Sequence, residues 1–179
     1  LKGALVNSYI LGDFFEGVKR VPDSAVHAVE IDPPYAIDLK NIKYGKRDDL
    51  KTYNEVDEKE YPEFLENLFQ ECYRVMFPSS WIICWHAIQY YPLIKTLLEE
   101  AGFSVEKIPA IWTKNGPGQT HNPEARLGSA YEPFIYAKKG NPIIYQAGRA
   151  NVFNFKTINS EHKVHPTELP IEMVTEVLK

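Results

Sequence analysis

Apolar and polar positions along this chain switch between a period near two and a period near 3.6, and the switches mark its elements. Leu5 to Leu11 reads as a first strand, with Gly12-Asp13 as its exit into a helix through Arg20 that turns Phe14, Val18 and Val21 inward. A second strand runs from Val26 to Ile31 and stops at Asp32-Pro33-Pro34-Tyr35. Residues 38–60 are polar, rich in lysine and without clear period, which suits a lid or a substrate-contacting loop. Tyr61, Phe64, Leu65, Leu68, Cys72, Val75 and Met76 then fall on one stripe and predict an amphipathic helix. Ser80 to His86 predicts a buried strand bounded by Pro78, and a helix follows from Gln89 to Ala101, with Pro92 in its first turn and Gly102 closing it.

Phe103 to Trp112 and Ser129 to Ala137 read as two more strands, joined by a turn-rich stretch, Thr113 to Pro123, that contains Gly116-Pro117-Gly118. Residues 141–163 are again turn-rich with scattered aromatics. Thr167 reads as the N-cap of a last helix, with Pro170 in its first turn and Ile171, Val174 and Leu178 on one face. Strands alternating with helices predict an α/β fold. The length of 179 residues predicts one domain over 1–179.

Composition changes this picture in two places. The net charge of −4 hides a segregation. Glu55, Asp57, Glu58, Glu60, Glu63, Glu66, Glu71, Glu99 and Glu100 face only Lys59, Arg74 and Lys95 in the span 53–100. Between 107 and 151, Lys107, Lys114, Arg126, Lys138, Lys139 and Arg149 outnumber Glu124 and Glu132, which leaves a face suited to phosphates. No apolar run reaches membrane-spanning length, and Leu1 to Val6 carries no signal-peptide pattern, so no membrane partner and a cytoplasmic location are expected. Cys72 and Cys84 fall within apolar patterns and read as core thiols. His162 and His165 are too sparse for a zinc site, so no metal is expected.

The candidate chemistry lies at the end of the second strand. Asp32 and Pro33 each precede a proline and are held extended, and neither Pro33 nor Pro34 has an N–H, so the corner presents acceptors and a ring. An aromatic amine is a poor nucleophile because its lone pair is delocalised. Two acceptors gripping its N–H bonds draw the nitrogen toward tetrahedral geometry while Tyr35 stacks on the base. His86 ends its strand at the same sheet edge and is read mainly as a structural histidine.

Asp32-Pro33-Pro34-Tyr35 resembles the catalytic tetrad of the S-adenosylmethionine-dependent amino-methyltransferases, which methylate adenine N6 or cytosine N4 in DNA. Leu11-Gly12-Asp13 upstream, Pro22-Asp23-Ser24-Ala25-Val26 before the strand, and His165-Pro166-Thr167-Glu168-Leu169-Pro170 near the end match the family pattern in order. This order resembles the circularly permuted beta-type group. The resemblance covers nearly the whole chain and implies a Rossmann-like methyltransferase sheet with helices on both faces.

It also implies site residues. Asp32, Pro33, Pro34 and Tyr35 would be catalytic; Asp13, Asp32, His165 and Thr167 would hold S-adenosylmethionine; and Lys43, Lys46, Arg47, Lys114, His121 and Arg126 would contact DNA. Residues 141–163 would form a short recognition region. The implied activity is site-specific methylation of DNA, as in restriction-modification, with adenine favoured because the tetrad begins with Asp. Double-stranded DNA is the implied partner, with a homodimer as an allowed assembly. Neither cysteine follows a proline, which disfavours cytosine C5 chemistry.

Two features depart from the pattern. Leu169 stands where relatives commonly carry a basic residue, and no Gly-rich loop follows the His-Pro-Thr helix, so the fold is expected to be incomplete at the C-terminus. The alternatives are methylation of RNA or of a protein amide, and a catalytically inactive DNA-binding remnant.

Overall fold

The structure, a computed structural model, describes residues 8–36, 56–116, 118, 120, 122–159, 163 and 168–179. Ten elements carry the fold: α1 (Phe14–Val18), β1 (Val26–Ile31), α2 (Tyr61–Val75), β2 (Met76–Trp85), α3 (Tyr91–Glu100), β3 (Ser104–Val105), β4 (Ala110–Thr113), β5 (Tyr131–Lys139), β6 (Val152–Asn154) and α4 (Ile171–Val177). The strands form one mixed sheet in the order β1-β2-β5-β4-β6, with β3 also paired to β5. β1 runs parallel to β2 and β4 parallel to β6, whereas β5 is antiparallel to β2, β3 and β4.

Helices cover both faces, as expected. On one face the stripe of α2 meets Ile94, Leu97 and Leu98 of α3 over Ile82, Cys84, Ile135 and Ala137 of the sheet. Phe69 joins that stripe fully buried, which widens it beyond the positions the period picked out. On the other face Ile83, Trp85, Ala110, Trp112 and Phe134 meet Met173 of α4. Gly102 adopts φ +105, and its N–H and that of Phe103 donate to the carbonyls of Glu99 and Leu98, a double bond that closes α3 as the sequence predicts.

Several boundaries differ from the sequence expectations, each for a local reason. Residues 8–11 are not a strand: Tyr9, Ile10 and Leu11 are three-quarters or more exposed, because no described strand pairs with them. β2 begins at Met76, not Ser80. Val26 pairs with Met76 and Ala28 with Trp81, so the extra residues of β2, Pro78 among them, are absorbed in a bulge where Ser79 has φ +69.

The expected strand 103–112 is split into β3 and β4 by the residues before Pro109, which has no N–H for the ladder. Pro170, not Thr167, is the N-cap of α4, since a proline biases its predecessor away from the helical region. That shift rotates the helix face. Met173, Val174 and Val177 pack inward, while Ile171 and Leu178 are exposed. β6 was not marked by the turn-rich composition of 141–163 and forms by pairing with β4.

Candidate active site

β1 delivers its last side chains in alternation. Val29 and Ile31 pack into the α2–α3 core, so Ala28, Glu30 and the position of Asp32 point to the opposite face. Asp32 is exposed, Pro33 buried, and Pro34, Tyr35 and Ala36 half-buried. Ala36 turns the chain with φ +50, packs against the α2–α3 core, and its carbonyl accepts from the Tyr90 hydroxyl at 3.4 Å. The corner is thus stiff from its prolines and clamped at its far end.

Tyr35 folds back over the corner. Its ring packs against the cluster of Ile83, Trp85, Ala110, Trp112 and Phe134, and its hydroxyl donates to Oδ1 of Asp32 at 2.7 Å. Burial, then the negative charge of Asp32 and the bond to it, push the phenol well above its ordinary range, so Tyr35 remains a neutral donor.

Two acids left without a role by the sequence motifs line this face. Glu30 accepts from the indole N–H of Trp85 at 2.7 Å, and Trp85 packs at 4.6 Å against Phe134 and edge-on at 6.5 Å against Trp112. Glu132 pairs with Lys114 at 2.5 Å, and Lys114 lies 5.6 Å over the ring of Trp112. A charge inside the otherwise apolar strand 26–31 is the sequence signal that would have singled out Glu30, since a buried indole N–H needs an acceptor.

The remaining expected site residues are dispersed. Asp13 is exposed and caps α1, with Oδ1 accepting from the Glu16 N–H at 3.0 Å. Lys114 is engaged by Glu132 and only partly exposed; Arg126 sits on an exposed turn whose backbone bonds Asn122. The loop between β4 and β5 doubles back tightly. A Cβ at Gly118, φ +77, would meet the Gly128 backbone at 2.6 Å, so glycine at position 118 is a packing requirement.

His86 is buried. Its Nδ1 lies 3.1 Å from the Ala87 carbonyl, its Nε2 has no partner among the described residues, and burial lowers its pKa below the ordinary 6.5. Lys43, Lys46, Arg47, His121, His165 and Thr167 lie outside the described residues.

A sequence model of the N6/N4 methyltransferase family, described as DNA methylase, matches residues 26–179, beginning at the first residue of β1. The chain is 24% identical to the type II methyltransferase M.HpaI of Haemophilus parainfluenzae over 182 residues, covering 90% of this chain and 55% of that protein. It is 24% identical to the putative methylase YubD of Escherichia coli K12 over 166 residues, covering 93% of this chain and 66% of that protein. The chain therefore spans about half to two thirds of the length of these curated relatives.

Among solved structures, the M1.HpyAVI–SAM complex superposes with a TM-score of 0.68 at 18% identity, covering 93% of this chain and 72% of that one. The cytosine-N4-specific PvuII DNA methyltransferase superposes with a TM-score of 0.66 at 14% identity, covering 90% and 65%. A mixed sheet of the Rossmann-like methyltransferase kind, an Asp-Pro-Pro-Tyr corner at the end of β1 and a family match over most of the sequence agree on one assignment: the chain belongs to the N6/N4 DNA methylase family, the amino-methyltransferases of the Asp-Pro-Pro-Tyr type.

Proposed function

We propose that this protein methylates the exocyclic amine of a base flipped out of double-stranded DNA, with adenine N6 as the target. The observation that carries the reading is the closed corner: an exposed carboxylate at the end of a parallel strand, a proline carbonyl beside it, and an aromatic ring hydrogen-bonded across to the carboxylate. A base stacked on Tyr35 would offer its amine to Asp32 and to the Pro33 carbonyl. Those two acceptors withdraw the amine's hydrogens from the ring plane and localise its lone pair.

The expected cofactor is S-adenosylmethionine, as the family assignment implies. Asp13 is exposed and caps α1 through Oδ1; by the family resemblance it would lie beside the adenine of the cofactor. When bound, the cofactor would supply an electrophilic methyl group, carried on a positively charged sulfur that keeps the carbon–sulfur electron pair when the methyl carbon passes to the amine nitrogen. Asp32 would hold the proton that the nitrogen then gives up. The apolar cluster against which Tyr35 packs would exclude water from one side of the stacked base.

Incubation of the full-length protein with labelled S-adenosylmethionine and plasmid DNA, followed by mass spectrometry of the nucleosides, tests the proposal. N6-methyladenine is the expected product, and Asp32→Ala should lower its formation by roughly 100- to 1000-fold, the scale of losing one fixed electrostatic partner. N4-methylcytosine in its place would overturn the choice of base. Undiminished turnover in Asp32→Ala would overturn the mechanism.

A further inference from the structure

The geometry points to Glu30 as a positioning residue for this site: its carboxylate fixes Trp85, a member of the buried cluster against which Tyr35 packs. This inference rests on the reading of the Asp32–Tyr35 corner given above.

Glu30 on β1 and Asp32 just past its end are two residues apart, and their carboxylates accept from Trp85 and from Tyr35, both of which belong to the same buried cluster region. The strand register pairs Ile31 with Cys84, which places Trp85 one step further, level with Asp32. The Glu30–Trp85 hydrogen bond of 2.7 Å therefore ties β1 to β2 directly under the corner. Trp85 is 1% exposed, and its ring meets Phe134 and Trp112. The second indole of the wall, on Trp112, is fixed independently by donating to the Phe155 carbonyl at 2.8 Å. Both rings that could tilt are thus pinned at their N–H, one by backbone and one by an acid on the catalytic strand.

A charged acceptor is a strong choice for this bond. A carboxylate–indole bond is stronger than a neutral one and holds the ring angle more narrowly. Tyr35 packs against the cluster to which Trp85 belongs and bonds to Asp32. Loss of the Glu30 carboxylate would let the Trp85 ring rotate, move the Tyr35 ring relative to Asp32, and misplace a stacked base against its acceptors. Small displacements of that kind affect turnover more than binding.

The test is made on the full-length protein with Glu30→Leu, Glu30→Gln, Trp85→Phe and the Glu30→Leu/Trp85→Phe pair, beside Asp32→Ala. Methyl transfer from labelled S-adenosylmethionine to adenine-containing duplex DNA gives kcat and KM, and the indole N–H resonance of Trp85, assigned by its loss in Trp85→Phe, reports the hydrogen bond. Glu30→Leu should shift that resonance upfield and lower kcat about tenfold with KM for DNA within about twofold. Glu30→Gln, which keeps an acceptor oxygen, should restore most of both. The double variant should be no slower than the slower single one, because both remove the same bond.

An unmoved resonance in Glu30→Leu, an unchanged kcat, or full additivity in the double variant would overturn the inference. Should Glu30→Leu fail to fold, Trp85→Phe alone carries the same kcat expectation, and a wild-type kcat there would overturn it. Asp32→Ala separates the two readings. If it retains turnover, the corner assignment fails; if it is inactive while Glu30→Leu turns over normally, only the positioning role fails.

Discussion

Tyr35 performs two tasks at once, and two substitutions separate them. Its hydroxyl occupies one oxygen of Asp32 at 2.7 Å, the same carboxylate that a base amine would need, while its ring supplies the stacking face. Tyr35→Phe keeps the ring and its packing against the buried cluster of Trp85, Trp112, Phe134 and Met173 and removes only the hydroxyl. Hydrogen bonds to charged groups contribute about 1.5–3 kcal/mol when both partners are buried, but Asp32 is exposed and water replaces the lost donor. The expected loss of stability is therefore about 0.5–1 kcal/mol. Methyl transfer should fall by less than about threefold or rise, since the hydroxyl no longer competes for the carboxylate.

Tyr35→Ala removes the ring, and base–aromatic stacking is worth about 1–3 kcal/mol, which converts to a loss of roughly 5- to 150-fold. The assay is labelled-methyl transfer to duplex DNA at saturating cofactor, paired with urea unfolding of each variant. A Phe variant as impaired as the Ala variant would refute the argument, because the hydroxyl and not the ring would then be the working part.

Other expectations follow from the core. Leu65→Ala, at a fully buried position of α2, should cost about 2–5 kcal/mol and lower the urea midpoint without changing the product of the reaction. His86 is held neutral by burial, so its folded pKa lies below the unfolded 6.5. The unfolded chain binds the extra proton first, and stability should be full above about pH 6.5 and decline as pH falls through that value toward the folded pKa. His86→Phe should flatten that limb in urea titrations at pH 7.5 and 5.5, and an unchanged slope would show that another group titrates. Burial raises the Cys72 thiol to about 12 and the Cys84 thiol well above its ordinary value. Both should resist a thiol reagent in the native state and react on unfolding.

How much of this was legible beforehand depended on where the determining forces are local. The stripe of α2, the stop of β1 at Asp32-Pro33 and the closure of α3 at Gly102 are written in short-range spacing and in residues with restricted backbones, and the structure keeps them. The start of α4 was misplaced because a threonine cap and a proline three residues later both suit a helix beginning, and only packing decides between them. Met173 against the Trp85–Trp112 wall chooses the rotation that leaves Ile171 outside. β6 is three residues long and owes its existence to the edge of β4, which no local pattern announces.

The site shows the same division in sharper form. Asp32 and Tyr35 are three residues apart in sequence, so their bond is local and lies within the tetrad. The Glu30–Trp85 bond spans 55 residues, and the Lys114–Glu132 pair joins neighbouring strands whose order is fixed only by the sheet. Lys114 illustrates what that hides. Read along the chain it is a basic residue in a turn-rich loop suited to phosphate, yet in the fold Glu132 neutralises it above the Trp112 ring. A lysine so engaged gains little from a phosphate unless the ion pair opens, because the attraction gained must first replace the attraction lost. Arg126, exposed on its turn, meets no such competitor among the described ion pairs, so of the two it is the one whose charge is open to a phosphate.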